Sequence, residues 1–138
     1  MANWAFVGRL HRAIYEATGG RIGARLAGLD MILLTTTGRK SGAPRTLPLA
    51  AFRRGDAFVV VASNNGQDRH PAWFLNLLDR PDAQLRHGRE ERPVRARVAA
   101  GEERAALWPW LVERNPPYAR YEQRTPREIP VVVLEPRA

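Results

Sequence analysis

The sequence predicts a mainly β fold with peripheral helices, in which six antiparallel strands close into a barrel. Three observations point to it. Short runs of apolar and β-branched residues are punctuated by Gly, Pro and Asp turn signals. Few of these runs are joined by helical stretches long enough for a parallel crossover, so neighbours are expected to pair antiparallel. The chain has 138 residues, 44% of them hydrophobic, which suits one domain with one core. A six-stranded sheet of that size tends to close on itself.

Residues 3–17 read as a helix, because Trp4, Val7, Leu10, Ile14 and Ala17 recur at three- and four-residue steps opposite Arg9, Arg12 and Glu16. "TGG" at 18–20 ends it, and "RIGARLAGLD" at 21–30 reads as a loose turn of helix. Strands are expected at 31–37 ("MILLTTT"), 45–53 ("RTLPLAAFR") and 57–63 ("AFVVVAS"). Pro48 lacks a donor, so it places the second of these at an edge or a bulge. "DRHPAWFLNLLDRPD" reads as a short helix, with Pro71 in its first turn and Trp73, Leu77 and Leu78 on one face. A hairpin around "GRE" joins "AQLRHG" to "ERPVRARVAA", where Val94, Ala96 and Val98 should face inward and Arg95 and Arg97 outward. Residues 101–115 read as a helix that Pro109 should kink or restart. Residues 116–128 hold a second short helical piece, and "IPVVVLEP" at 129–136 is the last strand.

The formal net charge is +8, and Lys40 is the only lysine among 22 basic residues. Such a balance suits an anionic partner: nucleic acid, acidic membrane or a phosphorylated small molecule. It also suits a solvated surface written in arginine. The Arg-faced helix at 3–17 can lie on an anionic membrane or pack on its own domain. There is no cysteine, which excludes disulfides, iron–sulfur clusters and thiolate zinc sites. The N-terminus carries no secretory signal and no run is long enough to span a bilayer, so a cytoplasmic protein is expected.

Candidate chemistry gathers at "TTTGRKSGAPRTLP", residues 35–48. Arg39, Lys40 and Arg45 crowd a turn with Gly38, Ser41, Gly42 and Pro44, although like charges repel. Backbone N–H groups of a Gly-rich turn converge on anions, Ser41 adds a hydroxyl, and the arginine forks match phosphate or carboxylate. A bound polyanion would relieve the repulsion; a solvated hairpin tip with splayed cations is the other reading. The motif is neither a Walker loop nor a dinucleotide fingerprint.

A second constellation sets Ser63, Asn64, Asn65 and Gly66 at a strand end, followed by Trp73 and Asn76. Small polar donors beside a flat aromatic suit a planar heterocycle with carbonyl edges, or else form a loop beside a core tryptophan. Tyr118 and Tyr121 share a helix face, as substrate contacts or as two half-buried rings. His11, His70 and His87 are scattered, so no metal site is expected. Ser41 and Ser63 lie outside G-x-S-x-G, and nothing points to hydrolysis. Glu90–Glu91 and Glu102–Glu103 read as solvated or as compensating a helix dipole.

Three stretches together, "LLTTTGRKSGAPRTLPL", "VVVASNNGQDRHPAWFLNL" and "NPPYARYEQRTPREIPVVVLEP", resemble the deazaflavin-dependent nitroreductase and quinone reductase family, whose members use coenzyme F420. The resemblance runs from about Leu29 to Pro136. It implies a six-stranded split β-barrel, related to the FMN-binding pyridoxamine-phosphate-oxidase-like barrels. Residues 29–138 would form that barrel and 1–28 an N-terminal helical segment of the same domain. It implies that Arg39, Lys40, Ser41 and Arg45 hold the cofactor's phosphate and glutamyl tail. The backbone of Thr46, Leu47, Pro48 and Leu49 would run along the groove. Val61, Ala62, Ser63 and Asn64 would line the deazaflavin; Ala72, Trp73 and Asn76 would flank it; Tyr118 would approach ring and substrate.

Two positions depart from that pattern. Phe74 offers no hydroxyl, and Asn115 stands where some nitro-reducing members carry a tyrosine. The implied reaction is hydride transfer from reduced deazaflavin to a quinone, nitroaromatic or enone, with Ser63 and Tyr118 hydrogen-bonding the acceptor oxygen. FMN is the rival cofactor. A basic protein that binds nucleic acid or anionic membrane is the rival class, although no recognised nucleic-acid motif occurs. Split barrels often pair, so a monomer or a homodimer is expected.

Overall fold

The computed structural model describes residues 25–26 and 29–137. The helix expected over 3–17, and the membrane contact tied to it, lie outside the described residues. Strands β1 (Arg25–Leu26), β2 (Leu29–Thr37), β3 (Pro44–Arg54) and β4 (Ala57–Val61) follow one another. After them come α1 (Ala72–Asp79), β5 (Asp82–His87), β6 (Glu90–Val98), α2 (Gly101–Arg114), α3 (Pro117–Arg124) and β7 (Val131–Pro136). The strand order is β2-β3-β4-β7-β6-β5, and β5 pairs back onto β2, so six strands close a barrel; β1 is appended to β2. Every registered pairing is antiparallel. Residues 25–26, read as part of a loose helical turn, instead pair antiparallel with β2, Arg25 opposite Asp30 and Leu26 opposite Leu29.

Alternation along the strands explains where the core sits. All five residues of β4 are buried. Phe58 and Val60 point into the barrel with Ile32, Leu34, Leu85, Val94, Val132 and Leu134. Ala57, Val59 and Val61 point outward into a second cluster with Phe52, Leu107, Leu111, Tyr118, Ile129, Val131 and Val133. A strand covered on both faces reads as a continuous apolar run, which is why "FVVV" shows no alternation. Full burial of side chains such as Phe58, Leu34 and Leu134 contributes about 1.5–3 kcal/mol each. The helices α2 and α3 are the outer cover of β4 and β7.

Helix α2 runs unbroken through Pro109. Proline deprives the carbonyl of Ala105 of its donor. Ala105 and Pro109 are both exposed, so that carbonyl lies on the wet face and the helix tolerates the loss. Glu102 and Glu103 occupy the first turn, as the dipole favours, and Glu103 receives Arg97 Nη2 at 2.8 Å. In β6, Val94 is buried, but Val98 is 44% exposed rather than inward, because it stands where the strand leaves the barrel.

Strand β3 makes the site. Its first part pairs with β2 from Pro44↔Thr37 to Ala51↔Asp30. Pairing with β4 is confined to Phe52, Arg53 and Arg54. The barrel wall is therefore split beside Arg45–Ala51, and Pro48 lies within that unpaired edge, as its missing donor requires.

Candidate functional site

The split opens into a groove of about 990 Å³. One end is the turn between β2 and β3. Gly38 N donates to Ala43 O at 2.8 Å and Gly42 N to Gly38 O at 2.8 Å, closing a loop that needs the left-handed φ of 73° at Gly42. Ser41 Oγ accepts from Ala43 N at 3.1 Å and from Arg45 Nη2 at 3.5 Å. The turn is fastened to α1 through buried Asn76. Asn76 Oδ1 accepts from Arg39 N at 3.1 Å and Arg39 Nη1 at 3.0 Å, while its Nδ2 donates to Thr36 Oγ1 at 3.1 Å. Arg39 Nη1 also reaches Ala72 O at 3.4 Å. Arg39 is thus largely engaged in holding the turn, while Lys40 and Arg45 of the same turn are exposed.

The other end is the segment after β4. Asn64 and Asn65 both take left-handed backbone, with φ of 49° and 56°, a conformation uncommon outside glycine. Asn64 Nδ2 donates to Arg69 O at 3.0 Å, and Gly66 N donates to Ser63 O at 2.9 Å. Gly66 has φ of 78°, and a Cβ there would stand 3.1 Å from Tyr121 Cα and 3.2 Å from Arg124 Cβ of α3. Gly66→Ala is therefore expected to cost at least about 1–2 kcal/mol, the penalty of left-handed backbone, before α3 moves. A urea unfolding curve with an unshifted midpoint would contradict this.

Of the residues expected from sequence, the groove brings together Arg39, Lys40, Ser41, Arg45, Thr46, Leu47, Pro48, Leu49, Val61, Ser63, Asn64, Ala72, Trp73 and Asn76. Two stand apart from it. Ala62 is fully buried and faces the barrel interior, on the same side of the chain as Phe58 and Val60. Tyr118 is also buried, in the outer cluster, its ring 6.1 Å from Phe52 in an edge contact and 6.3 Å from Trp108 in a stacked one. Its ring packs in that aromatic shell, and Tyr118 is not among the described residues that line the groove. Burial raises the Tyr118 pKa, a hydrogen bond with the Asn115 side chain opposes the rise, and Tyr121 adds to it, so the hydroxyl stays protonated at neutral pH.

The groove also has walls that residue types did not announce: Gln67, Arg69, His70, Pro71 and Leu75. His70 sits tilted 4.9 Å from Phe74. Its only sequence signal was its place directly before Pro71 and the α1 start.

A barrel split along one strand, with a cationic turn at one end of the slot and amide and hydroxyl groups at the other, defines a split-barrel protein of the cofactor-binding kind. The model of the F420H(2)-dependent quinone reductase family matches residues 7–136. An F420H(2)-dependent quinone reductase of Mycobacterium tuberculosis is 44% identical over 133 residues, 94% of this chain and 89% of that protein. A solved F420-H2 dependent reductase is 40% identical over 76% of this chain and 93% of its own, with a TM-score of 0.70. A candidate pyridoxamine 5'-phosphate oxidase from Listeria innocua shares only the fold, at 10% identity, 94% coverage of both chains and a TM-score of 0.55. The chain belongs to the F420H(2)-dependent quinone reductase family. It is accordingly a deazaflavin-dependent oxidoreductase, and its cofactor is coenzyme F420. No described helix is long and apolar enough to cross a membrane.

Proposed function

We propose that the groove seats coenzyme F420 with its phosphate and glutamyl tail on Lys40, Arg45 and Ser41, its ring beside Ser63, Asn64 and Trp73, and a quinone as the acceptor. One observation carries this reading. Arg39, Lys40, Arg45 and Arg69 line the groove, and no Asp or Glu is among its described lining residues. Four cations without a countercharge form an environment that a multiply anionic ligand relieves. The donor set fits: a planar fork and an ammonium suit the tail, and the unpaired edge of Thr46–Leu49 suits polar ring edges.

Hydride chemistry comes with the reduced deazaflavin when it is bound. The chain's part is position and charge. Leu47, Leu49 and Trp73 supply flat apolar walls that hold a ring and exclude water. The Ser63 hydroxyl lies at the open end of β4, where it can donate to an oxygen that gains negative charge as the quinone is reduced. Tyr118 contributes by packing: α3 lies against the Asn64–Gly66 turn, and the buried ring anchors α3. Two substitutions separate these roles. Ser63→Ala is expected to slow quinone turnover about 10-fold, the worth of one hydrogen bond. Tyr118→Phe should leave turnover within about 2-fold, since only the bond with Asn115 is lost. A larger fall in Tyr118→Phe than in Ser63→Ala would return the tyrosine to the chemistry.

The direct test of the reading is a fluorescence titration with coenzyme F420 beside FMN, followed by turnover with a quinone. The anionic tail predicts tight, salt-sensitive binding of coenzyme F420 and weaker binding of FMN. Tighter binding of FMN would overturn the seating. Nitroaromatic and enone acceptors present a similar oxygen and form the comparison arm of the turnover assay. A quinone reduced no faster than either would overturn the choice of acceptor.

A further inference from the structure

Arg127 lies between α3 and β7, far in sequence from the groove. Its guanidinium nevertheless binds one short segment of it. Nε donates to Gln67 O at 2.9 Å, Nη2 to Ser63 O at 2.8 Å and Nη1 to Ala62 O at 3.3 Å. Nη1 also stands 3.0 Å from His70 Nδ1. These four partners bracket Asn64 and Asn65, whose left-handed backbone persists only where the surroundings over-determine it. One planar fork from outside the segment supplies that constraint.

The contact with His70 has a second consequence. A guanidinium has donors and no acceptor, so His70 Nδ1 must accept. Burial, then the positive charge of Arg127, lowers the His70 pKa, which keeps the ring neutral. The single ring proton of His70 therefore sits on Nε2. The ring itself lines the groove, braced by Phe74.

We infer that Arg127 is a positioning residue for the ring end of the groove, and that it fixes His70 as an Nε2–H donor to a carbonyl oxygen of the bound deazaflavin. The inference rests on the proposed seating of the cofactor. It adds a contact to the ring rather than to the tail, and that difference can be measured.

The probe is a deazaflavin chromophore that lacks the phosphate and glutamyl tail, titrated by fluorescence beside complete coenzyme F420. Arg127→Lys keeps the charge and loses the fork; His70→Phe keeps a ring against Phe74 and loses both nitrogens. Each should weaken the tail-less probe and the complete cofactor by the same factor, on the order of 10-fold. His70→Gln restores one acceptor and one donor and should bind within about 3-fold of the unaltered protein. Lys40→Ala, at the tail end, should weaken the complete cofactor alone. A merely structural Arg127 would lower the unfolding temperature and leave ring affinity unchanged. Unchanged ring affinity in Arg127→Lys and His70→Phe would overturn the inference, as would a His70→Gln variant as weak as His70→Phe. Should Arg127→Lys fail to fold, the two His70 variants decide. An unaltered protein that does not bind coenzyme F420 would overturn the seating itself, and the inference with it.

Discussion

Coenzyme F420 is expected to bind about 100- to 1,000-fold more weakly when Lys40 and Arg45 are both replaced by alanine. Each is exposed at the turn. A hydrogen bond to a charged group contributes about 1.5–3 kcal/mol, or roughly 10- to 150-fold in affinity. The two losses should fall short of their product. In the free protein the cations repel across a tight turn, so removing one makes the other less strained and less valuable. The single variants should each lose at least about 10-fold. Raising the salt should narrow the gap between unaltered and double-variant protein, because screening weakens what the double variant already lacks. Quinone turnover at saturating cofactor should change little, since neither residue is placed near the ring. Equal affinity for coenzyme F420 in the double variant would refute the tail site.

The barrel and the cationic turn were legible in the sequence for local reasons. Gly38 to Arg45 carries its turn chemistry and its charges in consecutive residues, and Ser63 to Gly66 ends an apolar run with polar ones. What distance hides was not legible. Asn76 could be read as a groove residue, but its bonds to Thr36 and Arg39 cross 40 and 37 positions of sequence. Arg127 reaches Gln67 and Ser63 across 60 and 64 positions, and nothing in "TPRE" marks it.

Two of the expected residues, Ala62 and Tyr118, are not among the described residues that line the groove. Alternation puts the Ala62 side chain on the side of Phe58 and Val60. Tyr118 and Tyr121 do share a face, but spacing cannot say what that face meets. Phe52 and Trp108 meet it, from a strand and from the preceding helix. The slot itself follows from a register, since β3 outruns its pairing with β4. Register depends on which strands meet and is not written in β3 alone.

Asn76→Ala is expected to cost about 2–4 kcal/mol of stability, lowering the unfolding midpoint by roughly 10 °C. The side chain is buried and spends both ends: Oδ1 on the Arg39 backbone and guanidinium, Nδ2 on Thr36 Oγ1. Truncation removes these bonds and leaves a buried hydroxyl and a backbone N–H to find other partners, a larger penalty than the bonds are worth net. It also releases the turn from α1, so the tail site should lose order as well as affinity. Asn76→Asp separates the two effects. Its carboxylate still accepts both Arg39 donors, and the Thr36 hydroxyl can rotate to donate to the second oxygen. Beside the Arg39 guanidinium the new charge is paired, so stability should lie well above that of Asn76→Ala. The same charge opposes an anionic tail, so affinity for coenzyme F420 should fall in both variants. Loss of affinity without loss of stability in Asn76→Asp would mark the cationic field as the cause. Loss of both in Asn76→Ala would mark the clamp. If Asn76→Ala unfolds where the unaltered protein does, then Asn76 does not hold the turn, and Lys40 and Arg45 owe their placement to the β2–β3 hairpin alone.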